Sequence, residues 1–341
     1  MRRPTHNRSK SIRIVALGGG TGLSMLLRSL KEYIASRRQS GVPRPISDIA
    51  AIVTVTDDGG SSGRLRREYS ILPPGDIRNC MVALSRDEAL MGKLFQYRFP
   101  AGRGRGLAGH SFGNLFLAAL THVTGDFPEA VRLSAKVLAI RGRIFPSTRA
   151  NVTLEAELEN GQVVAGETNI SRSQRRIRRV RLVPQNAGPL PEALEAIRKA
   201  DLILLGPGSL YTSLIPNLLV RGVAHAIRRS RAKCIYIANL MTQPGETDGY
   251  SVADHVRAIY EHAHERLFDY VVVNRAPAAS RILHRYGVRG AKPVAASLEE
   301  LRRMGLTCVT GDLLQQDGVV RHDPKRLAQL LLRHFVQRSA A

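Results

Sequence analysis

Five times along this chain a short run of aliphatic, often β-branched residues stops at a polar loop. Ile12–Leu17 runs into Gly18-Gly19-Gly20-Thr21-Gly22, and Ile49–Val55 into Thr56-Asp57-Asp58-Gly59-Gly60-Ser61-Ser62-Gly63. Leu202–Leu205 runs into Gly206-Pro207-Gly208-Ser209, Lys233–Ala238 ends at Asn239, and Tyr270–Val273 ends at Asn274. Helical spacing follows the first run (Leu23, Leu26, Leu27, Leu30, Ile34) and returns in Val252–Arg266 and in a closing amphipathic stretch, Pro324–Arg338. Apolar strands alternating with amphipathic helices are what a sheet covered on both faces requires, so the pattern predicts an α/β fold with a doubly wound, mainly parallel sheet. No 20–50-residue repeat and no clear linker interrupts it, so one α/β domain is expected over residues 11–341, preceded by a basic disordered segment, 1–10.

The pattern changes near Asn151. Val152, Leu154, Ala156 and Leu158 alternate with polar residues, Glu159-Asn160-Gly161 supplies a turn, and Gln162–Ile170 resumes an extended pattern. Asn-Gly between alternating runs predicts a hairpin with a type I′ turn. Arg172–Val183 reads as a further exposed strand, and a small β-rich insertion is expected at about residues 150–185. Helices are expected between Asp76 and Ala139, with the strongly apolar Asn114–Thr124 piece buried.

Charge sets the choice of partners. Lys and Arg number 51 against 28 Asp and Glu, a net +23, with six Arg between Arg172 and Arg181. Such a surface suits nucleic acid, an anionic membrane or a phosphorylated small molecule; scattered Arg also serves solubility alone. Nucleic acid is disfavoured, because only 5% of residues are aromatic and no known module is present. No apolar run is long enough to span a membrane, and Ile12–Leu17 is too short for a signal-peptide core, so a cytoplasmic location is the default. Cys80, Cys234 and Cys308 have neither disulfide nor zinc spacing.

In an open α/β sheet ligands bind at the carboxyl ends of the strands, where helix N-termini offer backbone amides to anions. Gly18–Gly22 is such a loop, although it lacks both the dinucleotide fingerprint and the Walker A spacing; it suits a phosphate or a plain tight turn. Gly206, Pro207, Gly208 and Ser209 form a second, where Thr212 and Ser213 add hydroxyls or cap a helix. Asp57 and Asp58 suit Mg²⁺ with phosphate oxygens, a substrate hydroxyl, or a solvated turn. Asp76, Arg78 and Asn79 place an acid, a cation and an amide together, and Asp76 also suits a helix cap. His110-Ser111 does not make a nucleophile pair, and His262 and His264 diverge on a helix. The loop Asn239–Thr247 is suited to reading a sugar or base.

These segments occur together in a known order. GGGTG, TVTDDGGSSGRLR, LPPGDIRNCMVAL, GHSFGNLFLAAL, LGPGSLYTSLIPNLLV and NLMTQPGETDGYSVADHV, with VVVN at Asn274 and RHD at Arg321, resemble the YvcK-like branch of the CofD family, the gluconeogenesis factors. The likeness runs from Ile12 to the last helix. It implies a Rossmann-like sheet and a regulatory protein that binds UDP-activated sugars, notably UDP-N-acetylglucosamine. It also implies roles in cell shape, peptidoglycan precursor supply and gluconeogenic growth. The CofD branch implies an alternative: a Mg²⁺-dependent transfer of 2-phospho-L-lactate from a nucleoside-diphosphate donor, with Asp57 and Asp58 as its catalytic and metal residues. On either use Gly18, Gly19, Gly20, Thr21, Gly22 and Gly206–Ser209 are expected to hold a diphosphate. Asp76, Arg78, Asn79, Asn114, Asn239, Thr242, Asn274, Tyr286 and Arg321 are expected around the ligand. The resemblance further implies a protein partner in cell-wall metabolism and leaves homo-oligomerisation open.

Overall fold

In a computed structural model the described residues are 11–36, 45–86, 88–100, 106–288, 290–315 and 319–337; the basic segment 1–10 and Arg338 lie outside them. The strands in chain order are β1 (Ile12–Gly18), β2 (Ile46–Val53), β3 (Arg143–Pro146), β4 (Thr153–Leu158), β5 (Val163–Ala165), β6 (Ile177–Val183), β7 (Leu202–Leu205), β8 (Lys233–Ile237), β9 (Tyr270–Asn274), β10 (Thr307–Gly311), and the antiparallel pair β11 (Leu314–Gln315) and β12 (Arg321–His322). Seven of them form the central sheet, in the order β10-β9-β8-β7-β1-β2-β3, with every pairing parallel. Chain order runs outward in both directions from β1 and β7, which is the Rossmann arrangement with one strand added. Central strands are buried on both faces: Leu202–Leu205 and Ile49–Val53 are enclosed throughout. β3 and β10 are edge strands that carry no long apolar run, and sequence periodicity does not find them.

The first helix, Gly20–Ser36, starts inside the glycine run, three residues before the expected Leu23. Its N-terminus is satisfied from outside: Asp76 Oδ2 accepts the Gly20 N–H at 2.7 Å. Leu23, Leu26, Leu27 and Leu30 then pack on the sheet, fully buried. The helix Phe112–Thr124 is capped by Ser111. It is not wholly buried as expected: Asn114, Leu117, Ala118 and Thr121 face inward while Val123 is 81% exposed. The helix Val252–Ala263 opens with a reciprocal Ser251–Asp254 capping box and stops at left-handed His264, before the expected Arg266. The C-terminal helix Pro324–Leu332 packs back against Gly20–Ser36.

The insertion is a three-stranded antiparallel sheet, β5-β4-β6. Its second arm is not extended to Ile170; after β5 the chain forms the short helix Glu167–Ser173. The turn also differs from type I′. Gly161 N–H bonds to Leu158 O at 2.8 Å and Leu158 N–H to Gln162 O at 2.9 Å, with the left-handed position at Gly161 (φ 82°) rather than at Asn160. That is a three-residue loop with a glycine bulge. The Arg-rich strand has a local explanation. Arg181 pairs with Glu155 at 2.8 Å, Arg178 with Glu157 at 2.9 Å and Arg176 with Glu159 at 3.8 Å, an ion-pair ladder between β6 and the β4 hairpin. Beneath it Leu154, Ala156, Leu158, Val180 and Leu182 join the same apolar core as the main sheet.

A methyl group at residue 161 meets nothing within 4 Å, so only its left-handed backbone opposes substitution. Gly161→Ala is therefore expected to cost about 1–2 kcal/mol and Gly161→Asn less, read from urea midpoints at unchanged slope. Equal effects of the two would show that the backbone conformation is not the cause.

Candidate functional site

Neighbouring crossovers leave β1 and β7 for opposite faces of the sheet, because parallel connections are right-handed. The crevice this opens at the strand ends holds a cavity of about 660 Å³. The two glycine loops form its floor and touch each other. A Cβ on Gly22 would lie 2.5 Å from the Pro207 carbonyl oxygen, and one on Gly19 would lie 2.7 Å from Thr54 Cγ2 and 2.8 Å from Asp76 Oδ2. At Gly22 backbone packs against backbone, whereas Gly19 is closed in by the Thr54 and Asp76 side chains. Asn217, fully buried, donates through Nδ2 to Gly18 O at 3.1 Å and Ser213 O at 2.8 Å, which ties the first strand end to the second loop. Asn239 Nδ2 donates to Gly208 O at 3.0 Å, and Gln243 Nε2 to Ser209 Oγ at 2.9 Å.

Of the residues expected at a ligand, Gly19, Gly20, Thr21, Gly22, Pro207, Gly208, Ser209, Asn239, Thr242, Tyr286 and Arg321 line this cavity. Thr242 also secures its own loop, accepting the Lys292 N–H at 2.9 Å, and the Tyr286 hydroxyl accepts the Val320 N–H at 2.9 Å. Gly18 and Gly206 lie beneath the cavity, within the β1 and β7 backbone pairing (Gly206 N–H to Leu17 O, 3.0 Å). Asn274 organises the turn after β9, accepting the Leu313 and Ala276 N–H groups at 3.0 and 3.2 Å.

The other polar residues form a layer outside the cavity lining. Buried Arg78 donates to Ser111 Oγ, to Asn114 Oδ1 at 3.0 Å and to Asn79 Oδ1 at 2.8 Å, and burial holds its guanidinium down at about 10. Asn114 in turn donates to Ser61 Oγ at 3.1 Å, and Ser61 meets His110 Nδ1 at 2.9 Å. Arg78, Asn79, Asn114, Ser61 and His110 thus hold the helices together. Asp57 Oδ1 accepts the Gly59 N–H at 2.9 Å. Asp58 Oδ1 accepts both the N–H and the hydroxyl of Thr168, at 2.9 and 2.6 Å, so it tethers the insertion. Asp57 and Asp58 use only their Oδ1 atoms in these bonds, with different partners, and neither residue lines the cavity. Among the described residues no three His, Cys, Asp or Glu side chains converge on a metal position.

The tether brings in two residues, Glu167 and Ser171, that the sequence does not single out. Glu167 and Ser171 of the insertion helix form one wall of the cavity, beside Glu246, and His322 lines it further along. Burial, reinforced by Asp57, Asp76, Asp58 and Glu246, pushes the Glu167 carboxyl up to about 9. Burial likewise raises Glu246 to about 7 against the Ser171 hydrogen bond, and Asp76 to about 6 against the Gly20 N–H. Burial lowers His322 to about 4, so its ring is neutral at pH 7. Nothing in the local sequence around Glu167 announces this; only the fold over of the insertion places it there.

Residues 14–314 match the family model described as 2-phospho-L-lactate transferase CofD. The chain belongs to the CofD family. Two relatives named "Gluconeogenesis factor" place it among the YvcK-like members of that family. That of Bacillus subtilis (strain 168) is 48% identical, with 94% of this chain and 97% of the relative covered. That of Halalkalibacterium halodurans is 46% identical, with 95% and 96% covered. A crystal structure of a UPF0052-family protein from Bacillus halodurans superimposes with a TM-score of 0.88 at 44% identity, over 95% of this chain and 99% of that one. The fold of this CofD-family chain is therefore that of its relatives. Among its described residues no helix is long and apolar enough to cross a membrane.

The raised Glu167 value makes a stability prediction. Folded protein keeps this carboxyl protonated up to about pH 9, whereas the unfolded chain ionises it near the ordinary 4.5. Between those values the unfolded state binds fewer protons, so this group's favourable contribution, complete at low pH, is lost as pH rises through the window. Glu167→Gln cannot ionise, and its thermal midpoint should decline less than that of the unsubstituted chain between about pH 5 and pH 9. Parallel declines would refute the assignment.

Proposed function

We propose that this protein is a cytoplasmic, nucleotide-sugar-binding regulator whose ligand is UDP-N-acetylglucosamine, held at the crevice between β1 and β7. One observation carries the reading: two glycine loops from different strands meet at the floor of one cavity, so close that a Cβ on Gly22 would lie 2.5 Å from the Pro207 carbonyl oxygen. Thr21 and Gly22 lie in the first turn of a helix whose N-terminal dipole favours the diphosphate, the Gly20 N–H being held by Asp76, and Gly208 and Ser209 line the same cavity. Arg321, exposed at the cavity wall, supplies a cation for phosphate, and Tyr286 is fixed by its bond to Val320. The apolar stretch formed by Met25, Leu26, Ala291 and Leu327 accommodates the flat faces of a base or sugar. In this reading the protein adjusts peptidoglycan precursor supply and cell shape during gluconeogenic growth through a protein partner. The relatives' name, gluconeogenesis factor, supports the physiological setting.

A second reading, transfer of 2-phospho-L-lactate from a nucleoside-diphosphate donor, is favoured by the family model's description. Engagement of Asp58 by Thr168 weighs against it. Calorimetric titration with UDP-N-acetylglucosamine, with and without Mg²⁺ and with GDP as competitor, separates the two. Saturable binding that needs no Mg²⁺ and forms no product is the expected result. Binding of GDP but not of the UDP-sugar would sink the regulator reading and favour the transferase.

A further inference from the structure

Buried polar atoms in folded proteins are almost always hydrogen-bonded, so those that are not point to a missing partner. Three buried side-chain atoms without a partner line this one cavity: Gln243 Oε1, Glu246 Oε2 and His322 Nε2. Glu246 is the most informative. It is only 4% exposed, its Oε1 accepts from Ser171 Oγ at 3.3 Å, and its Oε2 has no partner. Gln243 is fixed by donating its Nε2 to Ser209, which leaves Oε1, an acceptor, unpaired at the same wall.

The turn bearing both residues is held rigidly. Glu246 N–H bonds to Gln243 O at 3.0 Å and Gln243 N–H to Thr247 Oγ1 at 2.9 Å. Gly245 sits in the left-handed region (φ 82°), and a Cβ there would lie 2.4 Å from Gln174 Cα. The turn is thus pressed against the end of the insertion helix, and Glu246 has little freedom to seek another partner.

The amide oxygen Gln243 Oε1 only accepts, so a phosphate oxygen, which does not donate, is not its partner, and an ionised Glu246 is under the same constraint. We infer that Gln243 and Glu246 recognise the hydroxyl groups of a neutral sugar, and that they make the site selective for an uncharged sugar over an acidic one. This deepens the nucleotide-sugar reading and rests on it. Sugar hydroxyls supply the donors that Gln243 Oε1 and Glu246 Oε2 lack, while the ligand's phosphates stay at the glycine loops. A sugar bearing a carboxylate would instead bring a negative charge beside Glu246 and the neighbouring Glu167. Burial and mutual repulsion already disfavour ionisation of Glu167 there.

Calorimetry on the full chain with UDP, UDP-N-acetylglucosamine and UDP-glucuronic acid tests this. The unsubstituted protein is expected to bind the neutral UDP-sugar at least about ten-fold more tightly than UDP, and more tightly than the uronic acid form. Glu246→Ala should lose most of that gain while binding UDP as before. Glu246→Gln, which keeps the shape and can donate to a carboxylate, should narrow the preference for the neutral sugar over the uronic acid. Thermal melts confirm that each variant is folded; if Glu246→Ala fails to fold, Glu246→Gln carries the test. Unchanged ratios among the three ligands in folded variants would overturn the assignment of Glu246. Failure of the unsubstituted protein to bind UDP or either UDP-sugar would overturn the nucleotide-sugar reading itself, and the inference with it.

Discussion

In a parallel sheet every strand must be followed by a crossover, and the crossovers after β1 and β7 depart in opposite directions. That divergence is what the site depends on. It leaves the carboxyl ends of two adjacent strands uncovered, and both ends carry glycine. The helix Gly20–Ser36 then projects its first turn into the gap, with the Gly20 amide satisfied by Asp76 and with Thr21 and Gly22 lining the cavity. Asn217 and Asn239 hold the opposing loop at a fixed height. A side chain at Gly22 would drive the loops apart, so the requirement for glycine is steric rather than conformational; no left-handed angle is involved there.

The insertion belongs to the site as much as the sheet does. Asp58 grips Thr168, Ser171 bonds to Glu246, and Gly245 lets the Gln243–Thr247 turn lie against Gln174. Three contacts of different chemistry therefore fasten the short helix Glu167–Ser173 over the strand ends. Its outward strand β6 carries much of the chain's concentrated positive charge, yet Arg176, Arg178 and Arg181 are matched by Glu159, Glu157 and Glu155. Exposed pairs of this kind add little stability singly, but they set the register of the hairpin.

Much of this was legible in the chain itself. Continuous apolar runs located the central strands, because burial on both faces forbids polar residues there. Their glycine-rich ends located the floor of the cavity. The edge strands β3 and β10 escaped, since an edge is half exposed and its composition is unremarkable. Asp58, Arg78 and Asn114 read as chemical groups because polar residues in such loops often are. Their partners, which lie between 33 and 110 residues away for the bonds to Ser111, Asn114, Ser61 and Thr168, reveal a structural use. Glu167 could not have been found locally, since it reaches the cavity through a long-range fold of the chain and a lone acid carries no spacing signal, whereas His322 sits inside the Arg321-His322-Asp323 segment.

The contact between Gly22 and Pro207 has one more consequence. Loops that must close around a ligand spend part of the interaction energy on their own ordering. Here the two loops are already in mutual contact through their backbones, and the asparagines behind them fix their separation. Folding has already borne the entropy of arranging these loops, so on the proposed nucleotide-sugar reading little of the interaction energy would be spent on ordering the floor of the site.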